Sequence, residues 1–522
     1  MKTIIRIASI VSCATVALAL APAEAGTFGR QSVGQTPSSG MSTDFKRGSK
    51  FTLAQNGVID NLCAYLDGFG GGVGYQSYEL VVYRDDHGAP GAKVVESGED
   101  SIGSGTAPGW ACLRPTIEMP VSAGDYWLVI HTGRGVPAVG RYYYDGPTGW
   151  YGGTDTFADG ASNPFGSGGS GAGTISLYAT YTTAYHSAGR ASIGSSWSSG
   201  MSSEFKRASS MTITETGLLL KMGAYLDGLG ATAQYQVVGT ALYRDDNGVP
   251  GALVAEASAW GITAGQRASW QAYVPYEQTK VTPGKYWIAL LSAGTPGVAR
   301  YALDGTGNWY GNADDISDRF SNPFGAGNPG NGTISAFVNY QPGTFTPGQF
   351  GRTDVASTSL KGLTPNFIRG SRFAVPDTDT VKLVNALYAY LDGNGGASGS
   401  QALRMALYLD SPDDGATTAP LKIVQSEVVN IPARTPPGWV RFPVPFTNVS
   451  SGTGRGYWIV IHSGNTGGVV RSYGDGAANW HGNEDAFIDG PVFHLDDENG
   501  STGTVTLSVY ATYEEFHPSA TP

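Results

Sequence analysis

The sequence predicts an all-β protein made of three tandem β-sandwich domains with a jelly-roll-like architecture. Two observations support this prediction. One short segment recurs three times, as Ala64–Gly70, Ala224–Gly230 and Ala389–Gly395. In the strand that ends each of the three modules, apolar residues alternate with polar ones, and this period of two is typical of strands with one buried face.

The repeat extends well beyond the short segment. In each copy a Gln lies nine residues after the Asp, and a Tyr lies seven residues after that Gln. Such regularity indicates tandem modules. We predict module 1 over 26–184, module 2 over 185–343 and module 3 over 344–522, each long enough to bury its own core. The clearest predicted linker is Gln341–Gly343, which contains Pro and Gly.

Individual strands can be placed within the modules. The last strand of each module should point four apolar residues inward. These are Ile175, Leu177, Ala179 and Tyr181 in module 1, Ile334, Ala336, Val338 and Tyr340 in module 2, and Leu507, Val509, Ala511 and Tyr513 in module 3. Tyr126–Ile130 is apolar on both faces, which predicts a central strand. Asp85–Gly91 has the Asp, Gly and Pro of a turn between two strands.

The N-terminus predicts export. Lys2 and Arg6 precede an apolar run from Ile7 to Leu20, and an Ala-x-Ala site ends at Ala25, so 1–25 is interpreted as a signal peptide. We therefore expect a secreted, extracellular protein with no membrane span in the mature chain.

Composition and charge narrow the range of partners. Charged residues make up 14% of the chain and aromatic residues 11%, which suits an extracellular β protein. The formal charge is −11, and removing the signal peptide, which carries +1, leaves −12. An acidic surface argues against nucleic acid or anionic lipid as a partner.

Two cysteines remain in the mature chain, and both lie in module 1. In an exported protein the simplest interpretation is a disulfide between Cys63 and Cys112. Two free thiols are the alternative. A metal site has less support, because no nearby His or Cys completes a ligand set.

A Gly- and Asp-rich connection after the central strand is the predicted ligand-binding region. Each copy has a Trp followed by an Asp five residues later. Aromatic rings could stack on sugar rings, while Arg and Asp bind sugar hydroxyl groups. The predicted contacts are Arg141, Trp150, Tyr151 and Asp155, then Arg300, Trp309, Tyr310 and Asp314, then Arg471, Trp480, His481 and Asp485. Alternatively, the indole rings close the end of each sandwich.

Calcium is a candidate cofactor. Asp67, Asp227 and Asp392 each precede a Gly-x-Gly segment, and their carboxylates are hard oxygen ligands. The alternative is a tight turn in which each Asp caps its own backbone.

Signs of catalysis are weak. The sequence has no Gly-x-Ser-x-Gly elbow and no His-Glu-x-x-His motif. Asp67 and Asp155 could form the acid/base pair of a glycosidase, but carboxylates in an Asp-rich loop are a weak signal. His131 and His462 occupy matching positions where module 2 has Leu291, which indicates packing rather than catalysis.

The motifs also support a resemblance. The hairpin Leu242–Gly251 and the strand Pro283–Trp287, with the Tyr-Leu-Asp-Gly-x-Gly segment, resemble repeated carbohydrate-binding-like β-sandwich modules of secreted bacterial proteins. Such modules are similar to carbohydrate-binding domains and to the stalk modules of surface-anchored proteins. The resemblance implies the fold and carries no functional residues with it.

Together these observations favour a secreted, non-catalytic protein that binds a glycan or cell-surface polysaccharide at several sites. Tandem weak sites gain avidity without new contacts. The first alternative is a structural or filament-forming extracellular matrix protein that self-associates. The second is a glycoside hydrolase.

Overall fold

The computed structural model of the protein describes residues 25–117, 119–183, 185–231, 234–376, 380–410, 420–449, 456–476, 480–492, 495 and 501–519. The predicted signal peptide lies outside these residues, apart from Ala25. Within these ranges the chain is almost entirely β-strand, with three single-turn 3-10 helices at Phe157–Asp159, Ile316–Asp318 and Phe487–Asp489. The all-β prediction is confirmed. In the described part of the chain, no helix has the length and apolar character needed to span a membrane.

The strands follow the repeat. Those of module 1 are β1 (Ala25–Gly29), β2 (Thr36–Pro37), β3 (Phe45–Leu53), β4 (Gly57–Asp67), β5 (Tyr75–Asp86), β6 (Ala89–Glu96), β7 (Asp100–Gly103), β8 (Gly109–Leu113), β9 (Pro120–Val121), β10 (Gly124–Gly135), β11 (Arg141–Thr154), β12 (Gly169–Ile175) and β13 (Leu177–Thr182). Those that begin in module 2 are β14 (His186–Gly189), β15 (Ser196–Trp197), β16 (Phe205–Ile213), β17 (Gly217–Asp227), β18 (Tyr235–Asp246), β19 (Val249–Thr263), β20 (Ser269–Tyr273), β21 (Thr279–Val281), β22 (Gly284–Gly294), β23 (Arg300–Ala313), β24 (Asn328–Ile334) and β25 (Ala336–Gly351). Those of module 3 are β26 (Ser359–Gly362), β27 (Phe367–Ala374), β28 (Val381–Asp392), β29 (Ser400–Leu409), β30 (Leu421–Gln425), β31 (Val429–Pro432), β32 (Gly438–Val449), β33 (Gly456–Ser463), β34 (Arg471–Asp475), β35 (Trp480–Glu484), β36 (Ser501–Gly503), β37 (Thr506–Leu507) and β38 (Val509–Pro518).

Module 1 consists of two antiparallel layers of strands that pack face to face. In what we call the front sheet, β4 pairs with β13 and β8, and with the first residues of β11. In the back sheet, β3 lies between the end of β11 and β10, and β10 pairs in turn with β5. Leu62 and Leu66 of the front sheet and Leu128 and Ile130 of the back sheet are buried in one core. The same pairings recur in the other modules, with β17 and β28 in the place of β4.

The predicted alternation is confirmed. All twelve inward positions predicted for the last strands are buried, from Ile175 to Tyr513. The central strand is confirmed too, because Tyr126–Ile130 pairs with β3 on one side and β5 on the other. The Asp85–Gly91 turn forms with His87 at φ 54° and Gly88 at φ 92°, the left-handed backbone that favours Gly at the second position.

Modules 2 and 3 are joined by a shared strand. The predicted linker Gln341–Gly343 lies inside β25, whose first part pairs with β17 and whose last part pairs with β38. Leu218 of module 2 packs there with Leu383 and Phe516 of module 3. Lys280 and Glu514 form an ion pair of 2.8 Å across the same junction. The linker prediction was wrong because Gln341–Gly343 finds strand partners on both sides of the module boundary.

Modules 1 and 2 pack by side-chain contact. A ridge of module 1 formed by Val95, Ile117 and Met119 faces Tyr225 and Trp270, which lie in the front sheet of module 2. The cavity that these five side chains help to line has a volume of only about 10 Å³. The ridge therefore covers the outer surface of this front sheet.

Candidate functional site

The Trp of each predicted ligand loop is packed against a glycine of the neighbouring strand. Trp150 lies opposite Gly171, and a Cβ atom added to that glycine would come within 2.3 Å of the indole ring. Trp309 lies opposite Gly330 in the same way, and Trp480 lies opposite Gly503. Each indole is half-buried against the core of its own module. The structure thus gives these rings a packing role, and their stacking on sugar stays a prediction.

The residues beside each Trp also make internal contacts. Tyr151 packs against Trp127 and Phe165, with ring centroids 5.9 and 5.7 Å away. Tyr310 has equivalent contacts in module 2. His481 of module 3 is buried, and its Nε2 atom lies 3.1 Å from the carbonyl oxygen of Leu495. These side chains hold the loop onto the outer surface of the back sheet.

The Asp five residues after each Trp anchors the loop. The backbone N–H seven residues further along donates to its carboxylate, from Ser162 to Asp155 at 2.8 Å, and likewise in modules 2 and 3. In module 1 the fully buried Lys46 ammonium lies 2.9 Å from Asp155. Burial lowers the pKa of Lys46, and the hydrogen bond to Asp155 partly opposes that effect.

The partner of this Asp differs between modules. Module 2 keeps the lysine, with Lys206 2.8 Å from Asp314. Module 3 has Ile368 at the lysine position, and the ring of His462 lies 3.6 Å from Asp485 instead. Burial lowers the pKa of His462 to about 4, although its hydrogen bond with the Asp485 carbonyl acts in the opposite direction.

Each arginine predicted to bind ligand forms an ion pair with an aspartate that was predicted to bind calcium. Arg141 lies opposite Asp67 in the front sheet, and its Nε and Nη2 atoms donate to the two carboxylate oxygens at 2.8 Å each. The hydroxyl of Tyr143 also donates to Asp67, at 2.5 Å. Burial raises the pKa of Asp67, but the hydrogen bonds from Arg141 and Tyr143 outweigh it and hold the pKa below its ordinary value. Arg300 pairs with Asp227, and Arg471 with Asp392, in the same bidentate geometry.

These pairs bear on the calcium prediction. Asp67 and Asp392 are fully buried, and both oxygens of each carboxylate accept hydrogen bonds from the protein's own arginine. In addition, no group of three or more His, Cys, Asp or Glu side chains in the described ranges is placed to hold a metal ion. Calcium binding stays a prediction that would require the arginine to be displaced.

The front sheet of module 1 carries a feature that the sequence reading missed. Four half-buried aromatic side chains, Tyr65, Trp110, Tyr143 and Tyr178, lie side by side on its outer surface. Neighbouring ring centroids are 4.7 to 5.4 Å apart. We call this group the module-1 platform. The Asp67–Arg141 pair lies at one end of it.

The disulfide lies beside the platform. Cys63 and Cys112 face each other across β4 and β8 and are bonded, which confirms the predicted pair. Tyr178 is the next residue along the same row, opposite Cys63 on β13. The disulfide therefore covalently ties together two of the strands that present the aromatic rings.

Module 3 has an equivalent group, which we call the module-3 platform. It consists of Tyr388, Tyr390, Trp439, Tyr473 and Tyr510, all half-buried. Tyr388 and Tyr510 are stacked, with centroids 4.6 Å apart and planes at 2°. Trp439 lies 5.4 Å from Tyr390 and 4.8 Å from Tyr510.

Module 2 has a different set of residues at these positions. Tyr225 and Trp270 are retained but buried beneath module 1. Where the module-1 platform has Tyr178, module 2 has Phe337, and where it has Tyr143, module 2 has Ala302. The covered surface has thus lost two hydroxyl groups that both uncovered platforms carry.

Comparison with known proteins gives no family for this chain: no protein-family model matches it, and no curated protein matches it significantly.

Proposed function

We propose that the protein is a secreted glycan-binding protein that binds polysaccharide through the platforms of modules 1 and 3. The observation that carries this proposal is the difference between covered and uncovered front sheets. At two positions of the sheet on which module 1 packs, the outer side chains are Phe337 and Ala302. Where no part of the described chain covers the front sheet, the equivalent residues are tyrosines.

The chemistry of the platforms suits a sugar. Aromatic faces present flat apolar area to the C–H groups of a pyranose ring, and tyrosine hydroxyls hydrogen-bond to the hydroxyls at its edge. Tyr and Trp are also enriched among the few residues that dominate the binding energy of protein interfaces. Neighbouring rings meet edge to face in both platforms, apart from the stacked pair Tyr388 and Tyr510. A row of such rings along an open sheet fits an extended polymer chain better than a small molecule, which needs a concave pocket.

Two platforms on one chain support multivalent binding. Modules 2 and 3 share a strand, and module 1 packs closely on module 2, so both platforms belong to one continuous body. Two tethered weak sites give higher avidity than either site alone. Module 2 then acts as the spacer between them.

The test is a binding assay of the mature chain on a panel of insoluble polysaccharides, with assay of the supernatant for released sugar. Trp110→Ala combined with Trp439→Ala removes the largest ring of each platform. We expect this variant to lose roughly tenfold or more in affinity at each site. The matched control is Tyr75→Ala combined with Tyr276→Ala, since those rings are 58% and 56% exposed and lie outside both platforms.

The outcomes separate the proposal from its rivals. Binding that the double Trp variant loses and the control keeps, without sugar release, supports it. Release of sugar would indicate a hydrolase and overturn the non-catalytic part. Failure to bind any polymer would overturn the proposal.

Self-association is the second candidate, and one observation favours it. The Val95, Ile117 and Met119 ridge of module 1 already covers a front sheet of this kind in module 2. Concentration-dependent assembly of the mature chain in sedimentation velocity, abolished by the same double Trp variant, would support this candidate instead.

A further inference from the structure

The module-3 platform carries a positive charge that the other front sheets lack at the same position. Arg441 lies opposite Tyr388 in the pairing of β28 with β32. The equivalent residue is Cys112 in module 1 and Ala272 in module 2. The module-3 platform therefore combines stacked aromatic rings with a guanidinium group in one row.

The side chain of Arg441 lies on the outer surface. Its neighbours Phe442 and Val444 are buried in the core, so the alternation of β32 places Arg441 on the same face as Trp439. Arg441 is also exposed. It flanks the row formed by Tyr388 and Tyr510, whose rings are stacked.

Two carboxylates on strands of the module-3 front sheet already have cationic partners. Asp392 is fully buried and bound by both Nε and Nη2 of Arg471. Glu514, on the same strand as Tyr510, lies 2.8 Å from Lys280 of module 2. Among the described residues, no carboxylate lies within ion-pair distance of Arg441. Its charge is thus available to a ligand.

A carboxylate group on a sugar would complement the positive charge of Arg441. The planar guanidinium fork matches a carboxylate with two parallel hydrogen bonds, which a point charge cannot do. The overall acidity of the chain does not prevent this, because charges more than about 8 Å away are largely screened at physiological salt.

We propose that the module-3 platform binds a uronic-acid polysaccharide, with the sugar carboxylate on Arg441 and the sugar ring against the accessible edges of the stacked pair Tyr388 and Tyr510. This inference rests on the proposed function and names the substrate class of one of its two sites. It assigns to Arg441 a specificity role that the other front sheets do not share.

The probe pair is polygalacturonate and its methyl ester, since they share a backbone and differ in the charge of the carboxyl group. The mature chain and its variants are compared by affinity electrophoresis in gels containing either polymer. We expect the wild-type chain to bind the free acid more tightly. Arg441→Met should lower affinity for the free acid by roughly five- to tenfold and leave affinity for the ester unchanged.

The matched control is Arg267→Met, which removes one exposed arginine from module 2, away from the platform, and changes the net charge equally. Equal affinity for acid and ester, or equal losses in the two arginine variants, would overturn the inference while leaving the proposed function intact. If neither polymer nor any neutral polysaccharide is retarded, the proposed function fails as well. A Trp439→Ala variant should lose affinity for both polymers, because it removes an aromatic ring of the platform. This variant therefore tests the platform separately from Arg441.

Discussion

Replacing Lys206 by Ile tests the role that the structure gives to the predicted ligand loops. Lys206 is fully buried, lies 2.8 Å from Asp314 and stands 4.4 Å from the ring of Phe324. Module 3 already has Ile368 at the equivalent position, so we expect the backbone of module 2 to accommodate an isoleucine side chain there. What changes is that Asp314 loses its cation and keeps one backbone N–H, that of Ser321.

The expected loss of folding stability follows from the burial of the Lys206–Asp314 ion pair. Breaking a buried ion pair by removing one partner destabilises a protein by about 3–5 kcal/mol. The equivalent Lys46→Ile change in module 1 should cost less, about 1–3 kcal/mol, because the ring of His131 remains 3.8 Å from Asp155. Module 2 has Leu291 in place of that histidine and offers no such substitute.

The assay is hydrogen exchange of the full chain, because modules 2 and 3 share β25 and module 1 packs on module 2. Exchange of β16 and β23 reports the opening free energy of module 2, and exchange of β3 and β11 reports that of module 1. The Lys206 variant should lose more protection in its module than the Lys46 variant loses in its own. Equal losses of protection in the two variants, or a larger loss in the Lys46 variant, would refute the conclusion that these lysine–aspartate ion pairs anchor the loops.

Three further changes follow from the contacts. The pKa of His462 is about 4 in the folded state, below its ordinary 6.5, so the unfolded chain binds more protons between these values. The free energy of unfolding of module 3 should therefore fall by about 3 kcal/mol as pH drops from 6.5 to 4, and His462→Leu should abolish that loss in pH-dependent urea unfolding. Replacing Cys63 and Cys112 by Ala opens a link across a sequence separation of 49 residues and should lower the stability of module 1 by about 4 kcal/mol in the same assay. Asp67→Asn removes the charge that holds Arg141 and should lower the melting temperature equally with and without calcium; a stabilisation by calcium that the variant alone lacks would instead support a metal site.

The strands were predictable because alternation is dictated locally. A strand with one buried face needs an apolar residue at every second position, and Leu177, Ala179 and Tyr181 show this without knowledge of their neighbours. The disulfide was predictable for a similar reason, since only two cysteines follow the predicted signal peptide and they have one possible pairing. The linker prediction was wrong because it relied on the turn-forming composition of Gln341–Gly343. In the structure, strands from modules 2 and 3 pair with this segment.

The loops and platforms were harder to interpret because both depend on strand order. The Trp–Asp spacing indicated a ligand loop, but Gly171 opposite Trp150 and Ser162 bonded to Asp155 give it a packing explanation. Tyr65 becomes part of a platform only when β8 and β13 flank β4. Periodicity places a side chain on a face but does not say which strands share that face.

The most direct measurement of the central claim is hydroxyl-radical footprinting of the mature chain, free and bound to a polysaccharide, read out by mass spectrometry. The platforms predict reduced oxidation at Trp110 and Trp439 in the bound state, with Trp270 unchanged because module 1 already covers it. Protection at Trp150 and Trp480, with none at the platforms, would contradict the account and return the binding site to the loops.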